Sequence, residues 1–387
     1  MKSLMKMKGQ LSKYKKEGLV SIMQIQAAII EEKGQDFQIV DMELDPPHAG
    51  EVLVKITACG VCHTDDVARN QLAPVPLPAV FGHEGCGVVV STGEGVTDFK
   101  EGDRVGFSYG YCGKCDSCRS GKPYGCSENY RLNFSGVQYD NTKRLHYKGQ
   151  DVSSFFGQAA FATHAVVHQN NVIHAPDDVD LEIIGPLGCG IQTGAGAIFN
   201  YLHPGADTSI LITGCGAVGL SSVMAAGIAG CSNIIACDIV ESRLQLAKEL
   251  GAAHTINAKD IADVPAAVRE LTDGAGTHYA IDCTGIGECV RQSLVSVRSA
   301  GTCVILGLTQ ELTIHVETEL MGKSKTLAGL VEGLSVPQVF IPKLLNYYRQ
   351  GKFPFNRLIS FYDFKDINQA FMDTKNGKVI KAVLRMC

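Results

Sequence analysis

The chain has 387 residues, 45% of them apolar and 19% charged, with a net charge of −5. That length suits two domains, each able to bury its own core. The acidic balance argues against a nucleic-acid partner, and no apolar run approaches the roughly 20 residues a membrane-spanning helix needs.

Met1 to Ile22 carries Lys2, Lys6, Lys8, Lys13, Lys15 and Lys16 but no arginine, no continuous apolar core and no small-residue cleavage site. It reads as a disordered basic extension, or an upstream start ahead of Met23, rather than a targeting peptide. The 15 cysteines are an odd number, and reduced cytoplasmic thiols, several of them on metal, suit them better than a secreted disulfide framework.

From Gln26 the pattern is β-rich. Gln26–Ile30, Phe37–Val40, Glu51–Ile56, Gly87–Val90 and Asp103–Phe107 are predicted strands, broken by Pro46-Pro47, Gly93-Glu94-Gly95 and Glu101-Gly102-Asp103. Many short strands at such spacing predict a compact barrel-like domain. After about Pro186 the texture changes. Strands at Ser209–Thr213, Asn233–Cys237, Tyr279–Asp282, Thr302–Leu306 and Thr326–Ala328 alternate with helices at Val218–Ala229, Ser242–Leu250, Pro265–Leu271 and Glu288–Val297. That alternation predicts a parallel, doubly wound α/β sheet. Pro337–Arg349 reads as a helix leaving it, and the tail from Phe353 is mixed enough to return to the first domain.

Gly214-Cys215-Gly216-Ala217-Val218-Gly219 fits G-x-G-x-x-G between a predicted strand and helix, and Asp238 follows 19 residues after Gly219. Gly214 permits the tight turn, Gly216 lets backbone approach a pyrophosphate, and Gly219 lets the helix pack on the strand. The helix start, at Ala217 and Val218, offers amide donors and a partial positive charge. Asp238 would accept the adenosine ribose hydroxyls and repel a 2′-phosphate, which favours NAD over NADP. Arg243 lies close enough in sequence to soften that preference.

Cys112, Cys115, Cys118 and Cys126 are spaced C-x2-C-x2-C-x7-C. Soft thiolates in a short glycine-bearing loop match a closed tetrahedral zinc site. An iron–sulfur cluster or two disulfides are the alternatives, but Ser127 stands where the ferredoxin pattern has proline. Cys62, His83 and Cys189, each in a glycine-flanked loop, offer a second set with one coordination position open. Zinc held so lowers the pKa of a bound alcohol and turns its carbon into a hydride donor for nicotinamide. Glu84 is either an alternative ligand or a group that tunes the metal's field. Asp65 would orient His83, and Thr64 would take the alcohol's proton.

With these motifs in place, Gly60–Asp65, Gly82–Gly85, the four-cysteine lobe, Pro186–Gly194 and the glycine fingerprint resemble zinc-dependent medium-chain alcohol dehydrogenases. Val75–Pro78, Ser108–Cys112, Asn133–Gly136 and Gln350–Phe355 resemble the aryl-alcohol (benzyl-alcohol) members. The resemblance implies a GroES-like catalytic domain over 23–190 and 334–387, interrupted by a Rossmann NAD-binding domain over 191–333. It implies two zinc ions per chain, one catalytic and one structural, with Thr193 near the nicotinamide, His63 near the pyrophosphate and Arg243 near the adenosine ribose. A primary aryl alcohol or its aldehyde is the implied substrate, and a cytoplasmic homodimer or homotetramer the implied state. Val67 stands where many members place a histidine that ends a proton relay. Ser108 stands where others place a bulky aromatic, which would leave room for a planar ring. An allylic or terpenoid alcohol dehydrogenase, a glutathione-dependent formaldehyde dehydrogenase and a catalytically silent NAD-binding member are the competing expectations.

Overall fold

The computed structural model describes residues 22–386, so the basic stretch over 1–21 lies outside the described residues. Met23–Ile30, Gln38–Leu44, Leu145–Tyr147, Gln150–Ser154 and Ala79–Val80 close into a small barrel. Beside it a seven-stranded sheet is organised on Glu51–Gly60, which pairs antiparallel with Gly85–Thr92, His164–His168 and Lys381–Arg385. Glu51–Gly60 is buried along nearly its whole length, with only Lys55 exposed. Its near-continuous apolar run is the signature of a strand covered on both faces. The Lys381–Arg385 pairing carries the end of the described chain back to the domain that holds Cys62.

Ser209–Thr213 is buried at every residue and sits centrally in a parallel six-stranded sheet. Across that sheet the strands run His254–Asn257, Asn233–Asp238, Ser209–Thr213, Thr277–Asp282, Val297–Ile305 and Thr326–Gly329. In chain order this is 3-2-1-4-5-6, the doubly wound arrangement whose ligand crevice opens where the strand order reverses. The reversal falls between Ser209–Thr213 and Thr277–Asp282, directly above the glycine fingerprint.

The helix Ala217–Ala229 starts at Gly216 and stops at Gly230, whose φ of 87° ends it in the left-handed region. It is apolar on almost every side because it is covered on almost every side. One apolar cluster joins Ile191 and Ala195 to Leu220 and Val223, then to Phe340, Leu344 and Phe353. Each such side chain, fully buried, contributes about 1.5–3 kcal/mol. The short helix Gly190–Gly196 therefore rests on the fingerprint helix, and Ser222 Oγ donates to Gly194 O at 3.0 Å. This contact ties the Cys189 loop to the dinucleotide crevice.

Candidate active site

Cys62 ends the Glu51–Gly60 region and caps the helix His63–Arg69. His83 and Glu84 lie in the turn before Gly85–Thr92, and Cys189 precedes the helix Gly190–Gly196. Although 127 residues separate the two cysteines, their sulfurs lie 4.0 Å apart. One ligand atom from each of Cys62, His83, Glu84 and Cys189 falls within 4.8 Å of all the others. Tetrahedral zinc–sulfur bonds of about 2.3 Å would put two thiolates roughly 3.8 Å apart.

The donor chemistry fits a cation. Asp65 is fully buried; its Oδ1 accepts from His83 Nδ1 at 2.9 Å and from Gly82 N at 3.0 Å, and its Oδ2 accepts from Cys62 N at 3.2 Å. One carboxylate thus fixes the imidazole and both flanking loops. With Nδ1 engaged, His83 Nε2 is left buried without a hydrogen-bond partner. An orphaned ring nitrogen among two thiols and a carboxylate is the atom a metal would use. The thiol of Cys189 hydrogen-bonds that of Cys62 and holds Cys62 well below the ordinary thiol pKa, with burial opposing and His83 assisting. The sulfurs share a proton that a cation would displace. Burial works against a charged His83 ring, but the adjoining Asp65 carboxylate outweighs it and raises its pKa.

Glu84 has a second engagement. Lys381 Nζ donates to both its oxygens, at 2.8 and 2.9 Å, with both side chains almost wholly buried. Burial pushes the Glu84 carboxyl up to about 7 while Lys381 pulls it down. Burial likewise disfavours the ammonium, and the carboxylate more than offsets it. Glu84 therefore sits both within reach of the metal position and in a closed ion pair. Thr64 Oγ1 lies 3.6 Å from Cys62 Sγ, beside the same site. Phe156 lies tilted against His83 with ring centroids 4.6 Å apart, and Phe155 meets it edge-on at 5.5 Å.

The four-cysteine lobe gathers as its spacing predicts. Cys112 and Cys118 sulfurs are 3.9 Å apart, and Cys115 and Cys126 sulfurs 4.0 Å. Backbone amides of Cys115 and Lys114 donate to Cys112 Sγ, and those of Cys112 and Glu128 to Cys126 Sγ. Those donors stabilise thiolates, and the four sulfurs are placed to hold one closed tetrahedral ion.

In the crevice, Gly214 has a φ of 90°, and a Cβ on Gly219 would lie 1.9 Å from Gly214 O. Only glycine allows that turn. Asp238 ends its strand and is spanned by backbone amides: Oδ2 accepts from Cys215 N at 2.6 Å, Oδ1 from Ile239 N at 2.7 Å and Val240 N at 2.9 Å. It braces the fingerprint loop. Arg243 is half-buried with its Nε unpaired. His63 is exposed in the first turn of its helix, and half-buried Thr193 donates from Oγ1 to Cys189 O at 2.9 Å. Ser108 is buried; its Oγ donates to Gly188 O at 2.7 Å and accepts from Gln192 Nε2 at 2.8 Å. Its hydroxyl therefore ties down the Cys189 loop.

Comparison with known proteins agrees with this geometry. A GroES-like alcohol dehydrogenase domain matches residues 48–177 and a zinc-binding dehydrogenase domain residues 217–346. Geraniol dehydrogenase of Castellaniella defragrans is 42% identical over 363 residues, covering 93% of this chain and 97% of that protein. The chain belongs to the zinc-dependent medium-chain alcohol dehydrogenases. Among solved members of the family, benzyl alcohol dehydrogenase from Acinetobacter calcoaceticus superposes with a TM-score of 0.90 at 44% identity, covering 94% of this chain and 100% of that one. An alcohol dehydrogenase zinc-binding domain protein from Burkholderia ambifaria gives 0.91 at 44% identity, covering 95% and 100%. Lys381, Glu332, Phe155 and Phe156 belong to the surroundings of this dehydrogenase site but carry no motif of their own.

Proposed function

We propose that this alcohol dehydrogenase oxidises a primary aryl alcohol to its aldehyde, and the reverse, with NAD and with zinc at Cys62, His83 and Cys189. The observation that carries the reading is the aromatic wall on His83. Phe156 packs on the imidazole, and Phe134 meets Phe155 and Phe156 at 5.7 and 5.4 Å. Phe134 also lines a largely apolar cavity of about 520 Å³ with Val75, Leu77 and Tyr130. A planar substrate in that cavity gains area burial and edge-to-face contacts from Phe134 and Tyr130, with Phe155 and Phe156 buried behind them, and a short aliphatic alcohol gains neither. The likeness to a benzyl alcohol dehydrogenase supports the same substrate.

When bound, zinc supplies the Lewis acid that acidifies the alcohol hydroxyl, and NAD supplies the hydride acceptor. The chain's own residues do the rest. Asp65 presents His83 Nε2, Lys381 neutralises Glu84, and Thr64 offers an oxygen for the departing proton. The amides at Ala217 to Gly219 face the crevice where a pyrophosphate would lie, and Asp238 supports the choice of NAD. Cys112, Cys115, Cys118 and Cys126 would hold a second, structural zinc. No helix among the described residues is long and apolar enough to cross a membrane, and every described cysteine is a free thiol. A reducing cytoplasmic setting suits those thiols, and we place the chain there as a homodimer or homotetramer.

An allylic substrate is the second reading, favoured by the 42% identity to a geraniol dehydrogenase. NADH formation with benzyl alcohol, cinnamyl alcohol, geraniol, ethanol, and formaldehyde plus glutathione separates the cases. Benzyl alcohol should give the highest kcat/KM. Geraniol ahead of it would select the allylic reading, and turnover of none would leave a binding protein.

A further inference from the structure

Glu332 departs from the local rules. It has a φ of 52°, followed by Gly333 at 59° and Leu334 at 50°. A run of left-handed residues that includes glutamate costs backbone energy and persists only where packing imposes it. Here the packing is visible. A Cβ on Gly333 would lie 2.5 Å from Gln192 O and 2.7 Å from Thr193 O, so backbone is pressed on backbone. Asn200 Nδ2 clamps Gly333 O at 3.0 Å. The turn aims the carboxylate inwards, where Oε2 accepts from Gln192 Nε2 at 3.0 Å. Gln192 in turn donates to Ser108 Oγ and to Gly188 O.

No lysine or arginine pairs with this carboxylate among the described residues. The groups facing it are Gln192 and Thr193 on the helix Gly190–Gly196, His83, Cys62 and Cys189 across the site, and Tyr109, whose hydroxyl donates to Ser335 O. Burial pushes the Glu332 carboxyl up to about 7, against the opposing pull of His83 and the Gln192 bond. Meanwhile the relay position on the helix His63–Arg69 is Val67, which carries no proton.

We propose that Glu332 is the proton acceptor of this site, taking over the task that Val67 cannot perform. The inference rests on the alcohol dehydrogenase reading and deepens it. Oxidation of a primary alcohol breaks one C–H and one O–H bond. The hydride goes to oxidised nicotinamide, the proton leaves by the Thr64 oxygen for the Glu332 carboxylate and then water, and the carbonyl forms.

The conservative variant Glu332→Gln keeps an acceptor for Gln192 and removes the base. Alcohol oxidation in the wild type should fall towards acid pH, as the carboxyl raised by burial protonates. E332Q should lose that limb and about 100-fold in kcat, the low end of what general base catalysis contributes. A readout independent of turnover is infrared difference spectroscopy of the zinc- and NAD-loaded enzyme on binding trifluoroethanol. A protonated-carboxyl band should appear in the wild type and be missing in E332Q. The double variant with Val67→His should recover part of the lost kcat. Wild-type pH dependence and an unchanged band in E332Q would overturn the proposal, even with weakened NADH binding, because the turn would then only position Gln192. Should E332Q not fold, Glu332→Asp decides: slower proton transfer with the band retained supports the proposal, and wild-type kinetics with no band overturns it. A wild type that binds trifluoroethanol but oxidises no alcohol defeats the functional reading, and the infrared band still decides this one.

Discussion

Asp65 illustrates what one buried residue does for a candidate metal site. It serves His83, Gly82 and Cys62 at once, so Asp65→Asn disturbs the imidazole's tautomer and two loops together. Zinc affinity should drop by about 10–100-fold, measured by competition with a chromogenic chelator; wild-type retention would show that His83 needs no such orientation. Lys381 makes the opposite point. Lys381→Met leaves Glu84 buried without its counter-charge and should cost about 3–5 kcal/mol, read as a lower denaturant midpoint, with Lys381→Arg recovering most of it. Of these residues, Cys62, His83 and Cys189 are legible in the sequence because glycines flank each one. Lys381 and Glu332 are not, because their partners Glu84 and Gln192 lie 297 and 140 residues away. Pattern within a window cannot reach that far.

At the level of elements, the doubly wound unit is legible almost strand by strand, since each strand is a short apolar run with a helix after it. Two strands are exceptions: the four-residue His254–Asn257 has no predicted counterpart, and Val297–Ile305 differs in its start. It starts five residues before the predicted Thr302, because Val297 pairs with Thr277 ahead of an irregularity in the register. The barrel is harder to read. Leu145–Tyr147 and Gln150–Ser154 are only 3 and 5 residues long and carry His146, Gln150 and Asp151, so no apolar alternation marks them. An ion-pair cluster supports the barrel's end. Arg144 joins buried Glu51 to half-exposed Asp140 at 2.9 and 2.7 Å. Burial alone would raise the Asp140 carboxyl, but hydrogen bonds from Thr142 and Arg144 hold it well below the usual carboxylate range. A depressed folded pKa contributes stability above the unfolded value of about 3.9 and loses it as pH falls further. Asp140→Asn should therefore lower the denaturant midpoint at neutral pH and flatten the acid side of its pH curve, so that variant and wild type converge as pH falls below about 3.9; parallel curves would deny Asp140 that role. In the cysteine lobe, Cys118→Ser should release one metal equivalent and speed proteolysis within 112–126. Equal metal content in the variant would remove the lobe from the list of metal sites.

For the whole molecule, the two architectures meet at one helix. Gly190–Gly196 carries Cys189 at its start, Gln192 and Thr193 in its middle, and Gly194 and Gly196 where neighbouring backbones press in. A Cβ on Gly194 would lie 2.0 Å from Val218 O, and one on Gly196 2.2 Å from Gly333 O. Metal donors, dinucleotide crevice and Glu332 thus share one rigid reference, as hydride transfer requires of atoms about 3–3.5 Å apart. Gly194→Ala should shift that reference and lower kcat by about 100-fold with both metals retained; unaltered kcat would mean the helix tolerates sliding. The Glu84–Lys381 pair also carries a consequence for biosynthesis. Glu84 leaves the ribosome 297 residues before Lys381 does. Through that interval the first domain holds a carboxylate with no cation to receive it, so its pocket has reason to stay open or protonated. The order of translation thereby makes late closure of the metal pocket a property of the nascent chain, and a stall before Lys381 would leave a domain with its thiols in place and its charge unbalanced.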